Sequence, residues 1–185
     1  MQSRSVNPSV RDFLIAEVLA FANAARQVAG VTRIALIGSL TTEKPDPKDA
    51  DVLVTVTDDA DLAPLARLGR RLQGRAQTLN RGGEVFLADP KGKYLGRICP
   101  WKNCGPGIRV SCDALHCGRR HYLHDDWRAV RLTRDLIAAP PLELWPRHVV
   151  RVSVPEDLQR ALLASLREES YPRPIEPIGS DQVFS

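Results

Sequence analysis

Two short apolar runs constrain this chain most. Ile34-Ala35-Leu36-Ile37 ends at Gly38, and Val52-Leu53-Val54 follows Asp51. Each is too short for a helix and has the length of a buried strand. The first is preceded by a helical pattern. Val10, Leu14, Val18, Phe21, Ala25 and Val28 recur at steps of three and four from Asn7 to Val28, which sets them on one face. Ser9 or Asn7 can cap that helix, and Gly30 stops it. The second run is followed by another amphipathic helix over Asp61 to Leu79. Leu65, Leu68, Leu72 and Leu79 form its apolar side, and Arg67, Arg70, Arg71 and Arg75 the other. Gly82-Gly83 breaks the pattern, Glu84 to Ala88 reads as a third strand, and Asp89-Pro90-Lys91-Gly92 has the composition of a tight turn. The segment from Leu40 to Lys48 is a loop or a single short turn.

This order, helix, strand, loop, strand, helix, strand, predicts an α+β fold with a short mixed sheet flanked by helices. Four regions follow: a core over 1–91, a Cys/His-rich module over 92–124, a mainly helical region over 125–170 and a loose tail over 171–185. Within the third region, His148 to Val154 reads as a strand and Pro155 to Ser170 as a helix. Apolar residues make up 43% of the chain, but Phe, Trp and Tyr only 5%; the core must therefore rest on Leu, Val, Ala and Ile. Trp101, Trp127 and Trp145 are expected to pack in the core or a lid. No run of 18 apolar residues occurs, so no membrane span is expected. No signal peptide is visible, which points to the cytoplasm and reduced thiols.

The stretch that can carry chemistry is Gly38-Ser39, nine residues, then Asp49-Ala50-Asp51. Asp49 and Asp51 are two apart at the start of a strand, so both carboxylates point to one side. Such a pair repels itself unless a proton or cation lies between them. Mg²⁺ takes oxygen ligands and leaves room for phosphates. Gly38 lets a phosphate approach the backbone, and Ser39 adds a hydroxyl and an N–H. Read blandly, the two aspartates cap a strand and Gly38-Ser39 is only a turn.

The combination IALIGSL, TTEKPDPK, DADVLVTV resembles the minimal nucleotidyltransferases of the DNA polymerase beta-like superfamily. The resemblance covers about Val10 to Asp89. It implies the nucleotidyltransferase fold and transfer of a nucleoside monophosphate from a nucleoside triphosphate, with Mg²⁺ or Mn²⁺ as cofactor. Gly38 and Ser39 would then bind nucleotide, and Asp49 and Asp51 would be catalytic metal ligands. The resemblance also implies a third carboxylate on the next core strand, with Glu84 and Asp89 as candidates. Glu84 is preferred because it opens the strand and shares a face with Phe86 and Ala88; the superfamily more often has Asp there. The acceptor stays open: a protein side chain, an RNA end, a small molecule or another nucleotide. The alternative is a non-catalytic platform that binds nucleic acid or a partner protein, for example in an antitoxin-like role.

Cys99, Cys104, Cys112 and Cys117 lie in one window and nowhere else, spaced C-x4-C-x7-C-x4-C. Four clustered thiols suggest a tetrahedral structural Zn²⁺. His116, His121 or His124 can replace a cysteine; the bland readings are buried thiols or disulfides. No Cys-x-x-Cys pair argues for redox work. From Lys91 to Arg134 there are ten Lys/Arg against three Asp/Glu. That excess, with the arginine stripe of the second helix, is either a solvated surface or a seat for phosphates. Arg119, Arg120 and His121 are further candidates to touch an acceptor.

Overall fold

The computed structural model describes residues 9–104, 112, 114, 120–125 and 130–164, without the side chains of residues 163 and 164. Helix α1 runs over Val10–Ala25. Ser9 caps it and Asp12 returns the bond to the Ser9 backbone, a closed capping box. Strand β1 is Val31–Ile37, followed by a 3₁₀ turn at Ser39–Thr41 and strand β2 at Asp49–Val56. Helix α2 is Leu62–Gln77, with Asp61 as its cap. Then come β3 at Gly82–Ala88, β4 at Tyr94–Ile98 and β5 at Leu123–His124. The rest consists of α3 at Arg134–Ala138, β6 at Leu142–Trp145, β7 at Val149–Val150 and α4 at Glu156–Leu158, which runs on as a π-helical stretch over Gln159–Ala164.

All seven strands belong to one mixed sheet in the order β5-β4-β3-β2-β1-β6-β7. Only β2 and β3 run parallel. Their connection is α2, the crossover that a parallel pair requires. Strand alternation splits the core into two. Ala50, Val52, Val54, Val85 and Leu87 face Leu14, Val18, Leu65 and Leu72 of α1 and α2. Ala35, Ile37, Leu53, Phe86 and Ala88 form the other face and pack on Tyr94 and Ile137. The fold is thus α+β, with both long helices on one side of the sheet.

Several sequence expectations are corrected. Gly82 and Gly83 are not a break but the first residues of β3; α2 ends at Gln77, and Asn80 takes the left-handed conformation (φ 56°) that turns the chain. Leu79 lies past the helix and is exposed, not part of its apolar side. The division at residue 91 cuts through a hairpin: Asp89 accepts the Lys91 and Lys93 N–H groups at its turn, and β4 pairs with β3 beyond it. The region from 125 is not mainly helical among its described residues. It contributes β6, paired with β1, and β7. The strand expected at His148 to Val154 is only Val149–Val150, and the helix expected from Pro155 is described to Ala164. Trp101 is exposed, whereas Trp145 packs against the core. Trp127 and the expected tail over 171–185 lie outside the described residues. No helix among those residues is long and apolar enough to cross a membrane.

Candidate functional site

Three strands bring the predicted residues to one end of the sheet. Gly38 ends β1, which pairs Ile37 with Asp51 of β2; Asp51 in turn pairs with Glu84 of β3. Asp49 pairs with Gly82. Alternation puts Asp49, Asp51 and Leu53 on one face, and Glu84 and Phe86 on the same face. The carboxylates therefore lie at the margin of the core face opposite α1 and α2. Asp89 sits at the far end of β3 in its turn, away from them.

Two glycines make room for the aspartates. Gly38 has φ +76°, and a Cβ there would lie 2.6 Å from Asp51 Oδ2. A Cβ at Gly82 would overlap Asp49 Oδ1. The Asp51 carboxyl is pushed up to about 7, first by burial and then by the charges of Asp49 and Glu84. A cation at this point would relieve both burdens, because it offsets desolvation and repulsion together. Glu84 also has a partner: Arg97 Nη1 donates to its Oε1 at 2.6 Å. Among the described residues no three His, Cys, Asp or Glu side chains are gathered as a ready-made metal site.

The turn after β1 is held tightly. Thr41 Oγ1 donates to Gly38 O and Thr42 Oγ1 to Ser39 O, both at 2.7 Å. Within this turn the Ser39 hydroxyl is buried and has no hydrogen-bond partner among the described residues. A buried hydroxyl without a protein partner can be satisfied by a water or by a ligand oxygen. The loop beyond is tied down by a residue whose role the sequence pattern does not announce. Arg11 of α1, 8% exposed, donates to the carbonyls of Thr42 and Lys44 at 3.0 and 3.2 Å. It also pairs with Asp157 of α4 at 2.6 Å. Its only sequence signal is a charge inside an otherwise apolar helical pattern. Arg81 secures the same loop through Asp46 at 2.7 Å.

On the other side of Glu84 the sheet opens. Strand β4 ends at Ile98, and a cavity of about 210 Å³ lies there. Glu84, Arg97, Arg70, Gln73 and His124 supply its polar lining. Arg70 also donates to Trp101 O at 3.1 Å and lies over the Tyr122 ring. The other stripe arginines divide. Arg75 pairs with Glu17 at 2.8 Å and lies over Phe13, while Arg67 and Arg71 are exposed. Arg120 donates to the carbonyls of Thr57 and Ala60, so it braces a loop; His121 is exposed. Arg119, His116 and Cys117 lie outside the described residues.

Cys99, Cys104 and Cys112 are free thiols. Burial, more than any other cause, raises the Cys99 thiol to about 11, with Cys104 and Cys112 adding to the rise. Cys99 is therefore no activated nucleophile.

Neither a curated protein nor a solved structure matches the chain. A family model does, over residues 1–135, and its description is "Family of unknown function (DUF6932)". That match takes in α1 through β5, including Gly38, Ser39, Asp49, Asp51, Glu84 and all four cysteines, and on this basis the chain belongs to the DUF6932 family.

Proposed function

We propose that this protein has the nucleotidyltransferase fold and transfers a nucleoside monophosphate from a nucleoside triphosphate to an acceptor hydroxyl. One observation carries the reading: two aspartates and a glutamate from a parallel strand pair meet a glycine turn whose buried serine hydroxyl lacks a partner among the described residues. A phosphate-bearing ligand with a divalent cation suits both halves of that arrangement. Asp49 and Asp51 would hold Mg²⁺ or Mn²⁺, with Glu84 close by. When bound, the ion would neutralise charge on the triphosphate oxygens, including that which develops on the oxygens of the transferred and leaving groups. Ser39 Oγ and the backbone of the turn hold the terminal phosphates. The acceptor approaches from the cavity beyond Glu84, whose carboxylate, oriented by Arg97, takes the hydroxyl proton. The new bond forms between the acceptor oxygen and the α-phosphorus; the bond to pyrophosphate breaks, and pyrophosphate leaves.

The test needs no acceptor. The four nucleoside triphosphates are screened with Mg²⁺ by thermal shift, on wild type and Asp51→Asn. A ligand at a hundredfold its dissociation constant stabilises by about 2.7 kcal/mol, or roughly 5–10 °C for a domain of this size. A Mg²⁺-dependent shift that the variant loses is the expected result. No shift with any triphosphate would overturn the reading.

A second reading draws on the Arg97–Glu84 pair itself. If that pair keeps Glu84 from the ion, the domain is a non-catalytic platform for nucleic acid or a partner protein. It then binds triphosphate without releasing pyrophosphate whatever acceptor is offered, and its nucleic-acid binding is salt-sensitive and survives Asp51→Asn.

A further inference from the structure

The sheet carries a second polar cavity, away from the aspartate pair. Thr55 lies near the end of β2, on the face of Asp51 but four residues on, about 13 Å along the strand. A cavity of about 410 Å³ opens there between the β3–β4 turn, α3 and β6. That volume falls in the range of small-molecule sites, roughly 300–1,000 Å³. Two cations and two carboxylates line it: Arg33 and Lys91, Asp89 and Glu143. Lys91 and Asp89 sit in the turn at its rim, where Asp89 Oδ1 accepts from the Lys91 and Lys93 N–H groups. Arg33 and Glu143 belong to the sheet and form the charged part of the floor.

Strand register sets these two side by side. Arg33 pairs with Thr55 across β1 and β2, and Ala35 pairs with Glu143 across β1 and β6. Arg33 and Ala35 are two apart, so the Arg33 and Glu143 side chains are diagonal neighbours on one face. Each is held at one end and open at the other. Arg33 Nη2 donates to Ile137 O, and Glu143 Oε2 accepts from Arg151 at 3.1 Å. Arg33 Nη1 and Glu143 Oε1 have no hydrogen-bond partner among the described residues. Glu143 is only 5% exposed. A buried carboxylate oxygen without a donor is costly, and the cavity is where a donor can reach it.

A ligand with one charge meets an attraction and a repulsion on this floor. A ligand with both charges is attracted at each end, through charge-assisted hydrogen bonds roughly twice as strong as neutral ones. In an α-amino acid the carboxylate and the ammonium sit on one carbon, which suits a cation and an anion that are neighbours. Ile137, Ala138 and Pro146 add apolar wall above the charges. We propose that this cavity binds a free α-amino acid with an apolar side chain. Arg33 holds the carboxylate, Glu143 the ammonium, and the side chain lies against Ile137 and Pro146. The site stands apart from Asp49, Asp51 and Glu84, so it does not depend on the transfer reaction proposed above.

The experiment is isothermal titration calorimetry on the full chain, with L-leucine, L-methionine and L-phenylalanine as probes. N-acetyl-L-leucine lacks the ammonium and L-leucinamide lacks the carboxylate. The expected result is saturable binding of at least one amino acid, one per chain, with each analogue at least tenfold weaker than leucine. Glu143→Gln still accepts from Arg151 and weakens binding at least tenfold. Should that variant not fold, Ala138→Trp decides: it fills the mouth from an exposed position, leaves the charges in place and abolishes binding. Asp51→Asn binds the amino acid as wild type does, so failure of the triphosphate reading and failure of this one are told apart. The proposal is overturned by folded wild type that binds none of the three at millimolar concentration, by analogues that bind as tightly as leucine, or by unchanged binding to Ala138→Trp.

Discussion

Asp51 ties stability to pH and to cations. Its folded value is about 7, against 3.8 for an ordinary aspartate. Between these two values the folded chain binds more protons than the unfolded chain, so this residue makes stability fall as pH rises through the window. Above about pH 7 the full cost is present; below about pH 4 it is gone. Asp51→Asn should therefore stabilise the metal-free protein by on the order of 2 kcal/mol at about pH 8, after allowance for solvent screening, and by nothing in acid. Urea denaturation at both pH values measures this; an equal effect at both would show that burial and repulsion are not the cause. Gly38 gives a second prediction at this scale. Gly38→Ala meets Asp51 Oδ2 and a positive φ at once. It should cost about 1–3 kcal/mol and abolish any triphosphate-induced shift, read from the same melting curves.

Arg11 shows how an element can be committed to a site far from it in sequence. It sits on the buried side of α1, yet its guanidinium spans the loop after the glycine turn and Asp157 of α4. Asp157 is 40% exposed, so losing Arg11 acts mainly by leaving the carbonyls of Thr42 and Lys44 without their donor. Arg11→Met should lower stability by about 1–2 kcal/mol and raise amide exchange in residues 42–48, as hydrogen-exchange mass spectrometry will show. Unchanged exchange there would mean that the loop is held by its threonine bonds alone. The cap of the same helix makes a milder case: Ser9→Ala opens the capping box and should cost about 1 kcal/mol.

The whole sheet reaches further along the chain than the family match. That match ends at residue 135. Strand β6 lies beyond it and covers the edge of β1, and its Leu142 and Leu144 are fully buried. A chain cut after residue 135 would bare a long apolar edge strand next to the candidate site, an invitation to intermolecular pairing. Such a truncation should associate or aggregate, as size-exclusion chromatography will show. A monomeric, cooperatively folding fragment would mean that β6 only decorates the sheet.

Local pattern determined the elements of the first ninety residues. Steps of three and four placed α1 and α2, and short apolar runs placed β1, β2 and β3, because periodicity is written in neighbouring residues. The same locality put Asp49 and Asp51 on one face and marked Gly38-Ser39 as a turn beside them. The placement of Glu84 on the strand beside Asp51, and of Asp89 in the turn at the far end, was also legible, since strand alternation and the turn composition around Asp89 separate the two. Tertiary structure decided what depends on distant partners. Gly82 and Gly83 look like breakers until Asp49 is seen to need the space above Gly82. Strands β4, β6 and β7 are short and carry weak alternation, so they become strands only by pairing with a sheet already formed. Arg11 reads as a stray charge until the loop carbonyls and Asp157 surround it, and Arg97 has no role until pairing across β3 and β4 sets it against Glu84. Sequence fixes what each residue favours among its neighbours; burial and charge pairing across the sheet select which of those preferences become a site.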